Sequence, residues 1–214
     1  MNIFQTVFEY IDKFPKDEPI FIEDIRDYVI KQCGVEENEK VKKNINVIIN
    51  RLKNEGFIKA EYKGVYYKPV ITIFGEMGLD STRLRELKYI SDRYGNIKGY
   101  MVGAKLYNQL GLTTLVQNVT DIVTNECKHH KQYDEKLRTY ITKPKIEINN
   151  ENYKYLQFID ILENKDNINI EVDNANEIFY SIIQECKLDF EKLLKYIRET
   201  NSKKVLEKLL VLAR

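Results

Sequence analysis

Residues 40–68, KVKKNINVIINRLKNEGFIKAEYKGVYYK, join a helical apolar stripe to a short pattern rich in lysine and tyrosine. Apolar residues recur with the period of about 3.6 residues that marks one face of an α-helix. They are Val41, Ile45, Ile48, Ile49 and Leu52. Gly56 follows at a position typical of a helix C-cap. The segment therefore predicts an amphipathic helix that leads directly into a hairpin.

The hairpin itself is predicted from the residues on either side of a turn. Phe57–Tyr62 and Val65–Pro69 have the composition of short strands, and Lys63 and Gly64 separate them. Two β-prone runs around such a dipeptide are typical of a β-hairpin. We expect this hairpin to form a wing beside the helix.

The residues before this segment complete a characteristic order of elements. Pro15 and Pro19 end a first helix and precede a short extended Ile20–Phe21, and a second helix covers Glu23–Cys33. The predicted order is helix, short strand, helix, helix, hairpin, which is the order of a winged helix-turn-helix domain. We expect this domain to span residues 1–70.

The polar face of the third helix has the side chains that DNA recognition requires. An asparagine amide can bond both polar atoms of an adenine edge in the major groove, whereas lysines suit phosphate oxygens or guanine. An ordinary solvated helix and hairpin is the alternative, since charged runs usually lie on surfaces. The predicted DNA-binding residues are Lys42, Lys43, Asn46, Asn50 and Lys53 on the helix and Lys59, Lys63 and Lys68 on the wing.

Charge is concentrated where DNA contact is predicted, although the whole chain has a formal net charge of only +1. Residues 1–39 contain four Lys and Arg against ten Asp and Glu, while residues 40–68 contain eight against two. The segregation favours a nucleic-acid partner. Because the rest of the chain is nearly neutral, we expect salt-dependent binding that is reinforced by a dimer or by several copies.

Cysteine use and hydropathy bear on the cellular compartment. The three cysteines are odd in number and far apart, which does not predict a disulfide framework and fits a reducing cytoplasm. No apolar run approaches the roughly 18 residues of a membrane span. We expect a cytoplasmic protein with no membrane partner.

Residues 71–214 are predicted to form a mixed α/β segment followed by a C-terminal helical bundle, so the expected fold class is α+β. The predicted strands are Ile71–Phe74, Tyr100–Val102, Asp121–Thr124 and Leu137–Thr142. A short helix capped by Asp80 or Ser81 and a second helix over Ala104–Leu110 lie between them. From Tyr153 onward the apolar period is helical and predicts three or four short helices.

Residues that could support catalysis or metal binding are few. Cys127, His129 and His130 lie together, but a structural zinc site needs four ligands at separated spacings, so we predict no metal site. We also predict no cofactor and no catalytic residues. The glycine-rich stretches lack the motifs of nucleotide sites. One enzymatic alternative stays open. Two carboxylate pairs could hold magnesium in a nuclease, Glu171 with Asp173 or Asp160 with Glu163.

Residues 99–114, GYMVGAKLYNQLGLTT, resemble a segment of AbiEi-like antitoxins in which a small-residue turn leads into a helix ending L-G-L-T-T-Q-V-P. The sequence departs from that pattern at two positions, with Leu115 in place of Gln and Gln117 in place of Pro. The order of an N-terminal winged helix, this segment and a helical tail also matches.

The resemblance implies a non-enzymatic antitoxin of a bacterial toxin-antitoxin or phage-defence operon. Such a protein represses its own promoter by binding inverted repeats in double-stranded DNA, and it opposes a cognate nucleotidyltransferase-like toxin. Two alternatives remain from the residues themselves: a metal-dependent nuclease with a winged-helix domain, and a winged-helix module that binds protein.

Overall fold

The chain folds into helices and short strands, and the computed structural model describes residues 2–212. The fold is mixed α+β, and the chain divides into two units, Met1–Leu84 and Arg85–Arg214. The division falls within helix α4 (Ser81–Tyr89). The domain boundary predicted at residue 70 stays a prediction, and the first unit also includes a hairpin beyond that residue.

The first unit begins with three helices and a small antiparallel sheet. The helices are α1 (Ile3–Lys13), α2 (Ile22–Cys33) and α3 (Glu39–Asn54). The strands are β1 (Ile20–Phe21), β2 (Lys59–Tyr62) and β3 (Val65–Tyr67), in the order β1-β3-β2. The predicted helices and the short strand after Pro19 are confirmed. The two hairpin strands are shorter than predicted.

Helix α3 is determined by its apolar period and by a cap at each end. All five residues of the predicted stripe are buried. The Asn38 side chain accepts a hydrogen bond from the Val41 N–H at the N-terminus. At the C-terminus Gly56 has a positive φ of 78°, and the N–H groups of Gly56 and Phe57 donate to the carbonyls of Lys53 and Leu52. This is a Schellman motif, so the predicted role of Gly56 is confirmed.

The core of the first unit forms where α1 and α2 pack around the buried stripe of α3. Val7 and Ile11 of α1, and Ile25 and Val29 of α2, are fully buried in this cluster. Burial of one face of α3 on this core fixes its opposite face towards solvent.

A second hairpin follows the β2–β3 hairpin. Its strands are β4 (Val70–Thr72) and β5 (Gly75–Met77), which pair only with each other within the described residues. The predicted strand over Ile71–Phe74 is therefore wrong in its second half. Ile73 and Phe74 form the turn between the two strands instead.

The second unit contains a four-stranded sheet. Its strands are β6 (Gly99–Val102), β7 (Thr120–Thr124), β8 (Lys131–Asp134) and β9 (Thr139–Thr142), in the order β6-β7-β9-β8 with β7 and β9 parallel. Helix α5 (Gly103–Gln109) follows β6 directly. An added Cβ on Gly99 would lie 2.1 Å from the Tyr89 carbonyl oxygen, so only glycine fits there.

Helices complete the second unit and pack on a shared apolar core. They are α6 (Tyr153–Asn164), a 3-10 turn over Lys165–Asn167, α7 (Ala175–Glu185), α8 (Phe190–Glu199) and α9 (Lys203–Leu212). Phe158, Phe179 and Leu193 are almost completely buried in this core. Among residues 2–212, no helix is both long and apolar enough to cross a membrane.

Candidate nucleic-acid interface

The solvent face of α3 presents most of the helix residues that were predicted to bind DNA. Lys43, Asn46, Asn50 and Lys53 are all exposed. The structure adds Val47, whose side chain is 66% exposed between the polar residues of this face. Sequence analysis missed Val47, because an isolated valine outside the apolar stripe carries no distinctive signal.

Asn46 and Asn50 border a cleft between α2, α3 and the turn that joins β2 to β3. The cleft has a volume of about 420 Å³. Its lining comprises Ile22, Glu23, Arg26, Asn46, Asn50, Lys63, Gly64 and Tyr66. The tertiary structure thus brings Lys63, at the turn between β2 and β3, to the same cleft as Asn46 and Asn50.

Arg26 is the cleft residue that sequence analysis did not identify. It lies on α2, and its Nη2 atom donates to Asn46 Oδ1 at 3.4 Å. Its Nε is buried and has no hydrogen-bond partner among the described residues. Because Arg26 lies in the acidic segment 1–39, its charge was counted there, and its proximity to α3 was not evident.

Three of the predicted lysines have partners within the first unit. Lys42 Nζ lies 3.0 Å from a Glu37 carboxylate oxygen, and hydrogen bonding to Glu37 raises the pKa of Lys42. Lys59 pairs with Glu76, and this hydrogen bond lowers the pKa of the Glu76 carboxyl.

The third, Lys68, donates to the Asp12 carbonyl oxygen at 2.6 Å. Its ammonium is therefore directed towards the end of α1. By contrast, Lys43, Lys53 and Lys63 form no ion pair within residues 2–212.

The cleft favours acceptor-rich ligands. Arg26 and Lys63 supply two positive charges and several N–H donors, and the two asparagine amides supply further donors and acceptors. Glu23 is an acidic residue of the lining. Burial raises the pKa of the Tyr66 hydroxyl, so this group stays a neutral donor. Such a set suits phosphate oxygens and base edges.

The cysteine and histidine cluster lies in the second unit. Cys127 is buried, and its thiol donates to the carbonyl oxygens of His129 at 3.0 Å and Ile141 at 3.5 Å. Cys127 is therefore part of the buried interior, whereas His129 and His130 are exposed. The described part of the chain contains no group of three His, Cys, Asp or Glu residues arranged to hold a metal ion.

Three of the four carboxylates considered for a nuclease have protein partners. Glu171 accepts hydrogen bonds from the N–H and Oγ1 of Thr114, which lower the pKa of its carboxyl. Glu163 pairs with Lys145 at 2.9 Å. Asp160 accepts from the Tyr100 hydroxyl at 2.8 Å, and burial raises its pKa to about 6. These contacts hold the segment 99–114 and α6 in place.

No protein-family model matches the chain, and no curated protein matches it either. The resemblance of residues 99–114 to AbiEi-like antitoxins therefore stays a prediction. The main structural indication of function is the geometry of α3, the β2–β3 hairpin and the cleft between them.

Proposed function

We propose that the N-terminal region is a winged helix-turn-helix domain that binds double-stranded DNA, with α3 as the recognition helix and β2–β3 as the wing. The observation that carries the proposal is the grouping of Asn46, Asn50, Arg26 and Lys63 around one solvent-facing cleft. The element order and the antiparallel β1-β3-β2 sheet support it. The charge segregation of residues 1–68 supports it as well.

Base recognition would come from the exposed face of α3 in the major groove. Asn50 can offer its amide oxygen and nitrogen together to an adenine. The hydrogen bond from Arg26 to Asn46 Oδ1 orients the second amide. Val47 offers an apolar surface of the kind that contacts a thymine methyl group. The combination favours sites with A·T pairs.

Phosphate contacts would come from the basic side chains around the same face. Lys43 and Lys53 lie on α3, Lys63 lies at the wing turn, and Arg26 directs a guanidinium into the cleft. Such contacts set the position of the protein on the duplex without reading its sequence. Lys42, Lys59 and Lys68 would contribute less, because each already bonds a group of its own unit.

In the cell, we propose, the protein represses its own promoter and acts as the antitoxin of a toxin-antitoxin operon. The DNA-binding geometry supports the first role, and the resemblance of residues 99–114 to AbiEi-like antitoxins supports the second. The residues that oppose a nucleotidyltransferase-like toxin would then lie after residue 70. Recognition of inverted repeats would require two copies on the operator.

The test is binding of the full chain to its own promoter fragment and to a random duplex of equal length, measured by fluorescence anisotropy at two salt concentrations. We expect tighter binding to the promoter. Asn50→Ala should reduce the preference for the promoter by about 5- to 150-fold, which corresponds to roughly 1–3 kcal/mol. Asn44→Ala is the matched control, because Asn44 is an exposed asparagine of α3 outside the cleft.

Two results would reject parts of this proposal. If neither duplex binds in a salt-sensitive manner, the domain is a protein-binding module and not a DNA-binding one. If Asn50→Ala weakens both duplexes equally, the assignment of Asn50 to base recognition is wrong. Cleavage of either duplex on addition of magnesium would favour the nuclease alternative.

A further inference from the structure

The β4–β5 hairpin exposes more apolar surface than a folded chain usually leaves in water. Ile71 is 83% exposed, Ile73 is 93% exposed and Phe74 is 95% exposed. Single exposed apolar residues are common, but a contiguous group of large ones marks an interaction surface. The hairpin is therefore a candidate interface.

Local hydrogen bonds hold these side chains outward. Thr72 Oγ1 donates to the Gly75 carbonyl oxygen at 2.8 Å and accepts from the Phe74 N–H at 3.2 Å, which defines the turn. Glu76 bonds Lys59 of β2 and accepts from the Tyr67 hydroxyl of β3 at 3.2 Å. The base of the hairpin is thus bonded to β2 and β3, and hydrogen bonds fix the turn at its exposed tip.

The charge of the hairpin excludes nucleic acids and anionic lipid surfaces as partners. Residues 69–79, PVITIFGEMGL, contain no lysine or arginine, and Glu76 is their one charged residue. A phosphate backbone or an anionic lipid surface would find no cation on this hairpin. The partner is therefore a protein surface that is apolar and uncharged.

The strand edge is complementary to a second copy of itself. Within the described residues β4 pairs only with β5, so the other edge of β4 has backbone donors and acceptors that no strand satisfies. An antiparallel alignment of two β4 edges about Ile71 would place each Ile71 opposite its counterpart. Val70 would then face the counterpart of Thr72. Cross-strand pairs of β-branched residues stabilise such a sheet.

We propose that the chain forms a twofold dimer in which two β4 edges pair into a four-stranded sheet. An aromatic side chain such as Phe74 offers roughly 150–250 Å² when exposed, and an isoleucine offers an area near the lower end of that range. The three therefore supply about 500 Å² of the roughly 800 Å² that each partner contributes to a standard interface. The half-exposed Met77 and the paired backbone add to this area. The dimer is accordingly weak, with a dissociation constant in the micromolar range.

The proposal is independent of DNA binding and is tested on the full chain without DNA. Sedimentation velocity across the micromolar range should show a concentration-dependent dimer. The double substitution Ile73→Ser with Phe74→Ser should weaken it about tenfold or more. Val116→Ser is the matched control, because Val116 is an apolar residue that is 80% exposed in the second unit. Circular dichroism should show all three chains folded, since the replaced side chains lie in solvent.

A disulfide test examines the register of the pairing. Under mild oxidation, Ile71→Cys should give a covalent dimer, because opposite residues on antiparallel strands have Cα atoms about 4.5–5.5 Å apart, within the roughly 4.4–6.8 Å that a disulfide spans. Cys33 and Cys186, which are only partly buried, are first replaced by serine in every chain. Met77→Cys on the other strand and the chain without an added cysteine are the controls and should remain uncrosslinked. A chain that is monomeric at every concentration would overturn the proposal, and so would a dimer that the double substitution leaves unchanged.

Discussion

At the scale of single residues, the exposed Val47 makes the proposed base recognition measurable. A valine methyl against a thymine methyl excludes water from both groups, and that contact disappears when thymine is replaced by deoxyuridine. We expect this replacement in the promoter to weaken binding of the unsubstituted chain about two- to fivefold, in line with about 0.8 kcal/mol per buried methyl-sized group.

The variant Val47→Ala supplies the control for this effect. It should bind the thymine duplex more weakly and should respond little to the uracil replacement, since the contact is already absent. If both chains lose the same affinity on uracil substitution, Val47 does not contact a thymine methyl.

A second prediction at this scale concerns Asp160 in the second unit. Burial raises the pKa of its carboxyl from 3.8 to about 6, while the Tyr100 hydroxyl and Lys145 oppose the rise and Glu163 adds to it. The folded chain therefore binds this proton more tightly than the unfolded chain does. The resulting stabilisation is fully present below about pH 4 and is lost as the pH rises through 6.

The Asp160→Asn variant removes this titration and keeps an acceptor for Tyr100. We expect its unfolding free energy to exceed that of the parent chain above pH 7 by up to about 2–3 kcal/mol, because one pKa unit corresponds to about 1.4 kcal/mol. The advantage should vanish below pH 4. Urea unfolding from pH 4 to 8 measures this difference in unfolding free energy, and Asp173→Asn at an exposed position is the control. A difference that does not depend on pH would contradict the raised pKa of Asp160.

At the scale of secondary-structure elements, the end of α3 depends on the backbone of Gly56. Its φ of 78° disfavours any residue with a Cβ, although an added Cβ would meet no atom within 4 Å. Gly56→Ala should therefore lower the unfolding free energy by about 1 kcal/mol through backbone strain alone. Chemical denaturation measures this loss. The neighbouring Asn54→Ala, inside the helix, should be neutral or slightly stabilising.

Elements with a strong local period were predictable, and elements without one were not. Helix α3 was predicted because its apolar stripe and the glycine that ends it lie within one short segment. Strand β8 was missed, because Lys131–Asp134 is polar and shows no clear apolar alternation. The tip of the second hairpin was assigned to a strand, since Ile73 and Phe74 have the composition of a strand but lie in its turn.

At the scale of the whole molecule, the salt dependence of DNA binding tests which basic residues reach phosphate. The slope of log K against log salt is about −0.9 for each phosphate contact. Lys63→Ala should weaken all duplexes about equally and reduce the slope by about 1. Lys68→Ala is the control and should leave the slope unchanged, because its ammonium already donates to the Asp12 carbonyl. Equal slopes for both variants would contradict the division of the lysines inferred from their contacts.

The amino-acid sequence by itself determined the order of helices and strands from α1 to β3, the buried and exposed faces of α3, and the segregation of charge along residues 1–68. These features depend on residues that are close together in the chain, so periodicity and capping reveal them.

Only the tertiary structure decided which polar side chains share the cleft and which lysines are already bonded. Arg26 and Asn46 are 20 positions apart, Lys59 and Glu76 are 17 apart, and Lys68 bonds a residue 56 positions away. No local pattern encodes such pairs, because they form only when packing of the core brings distant segments together.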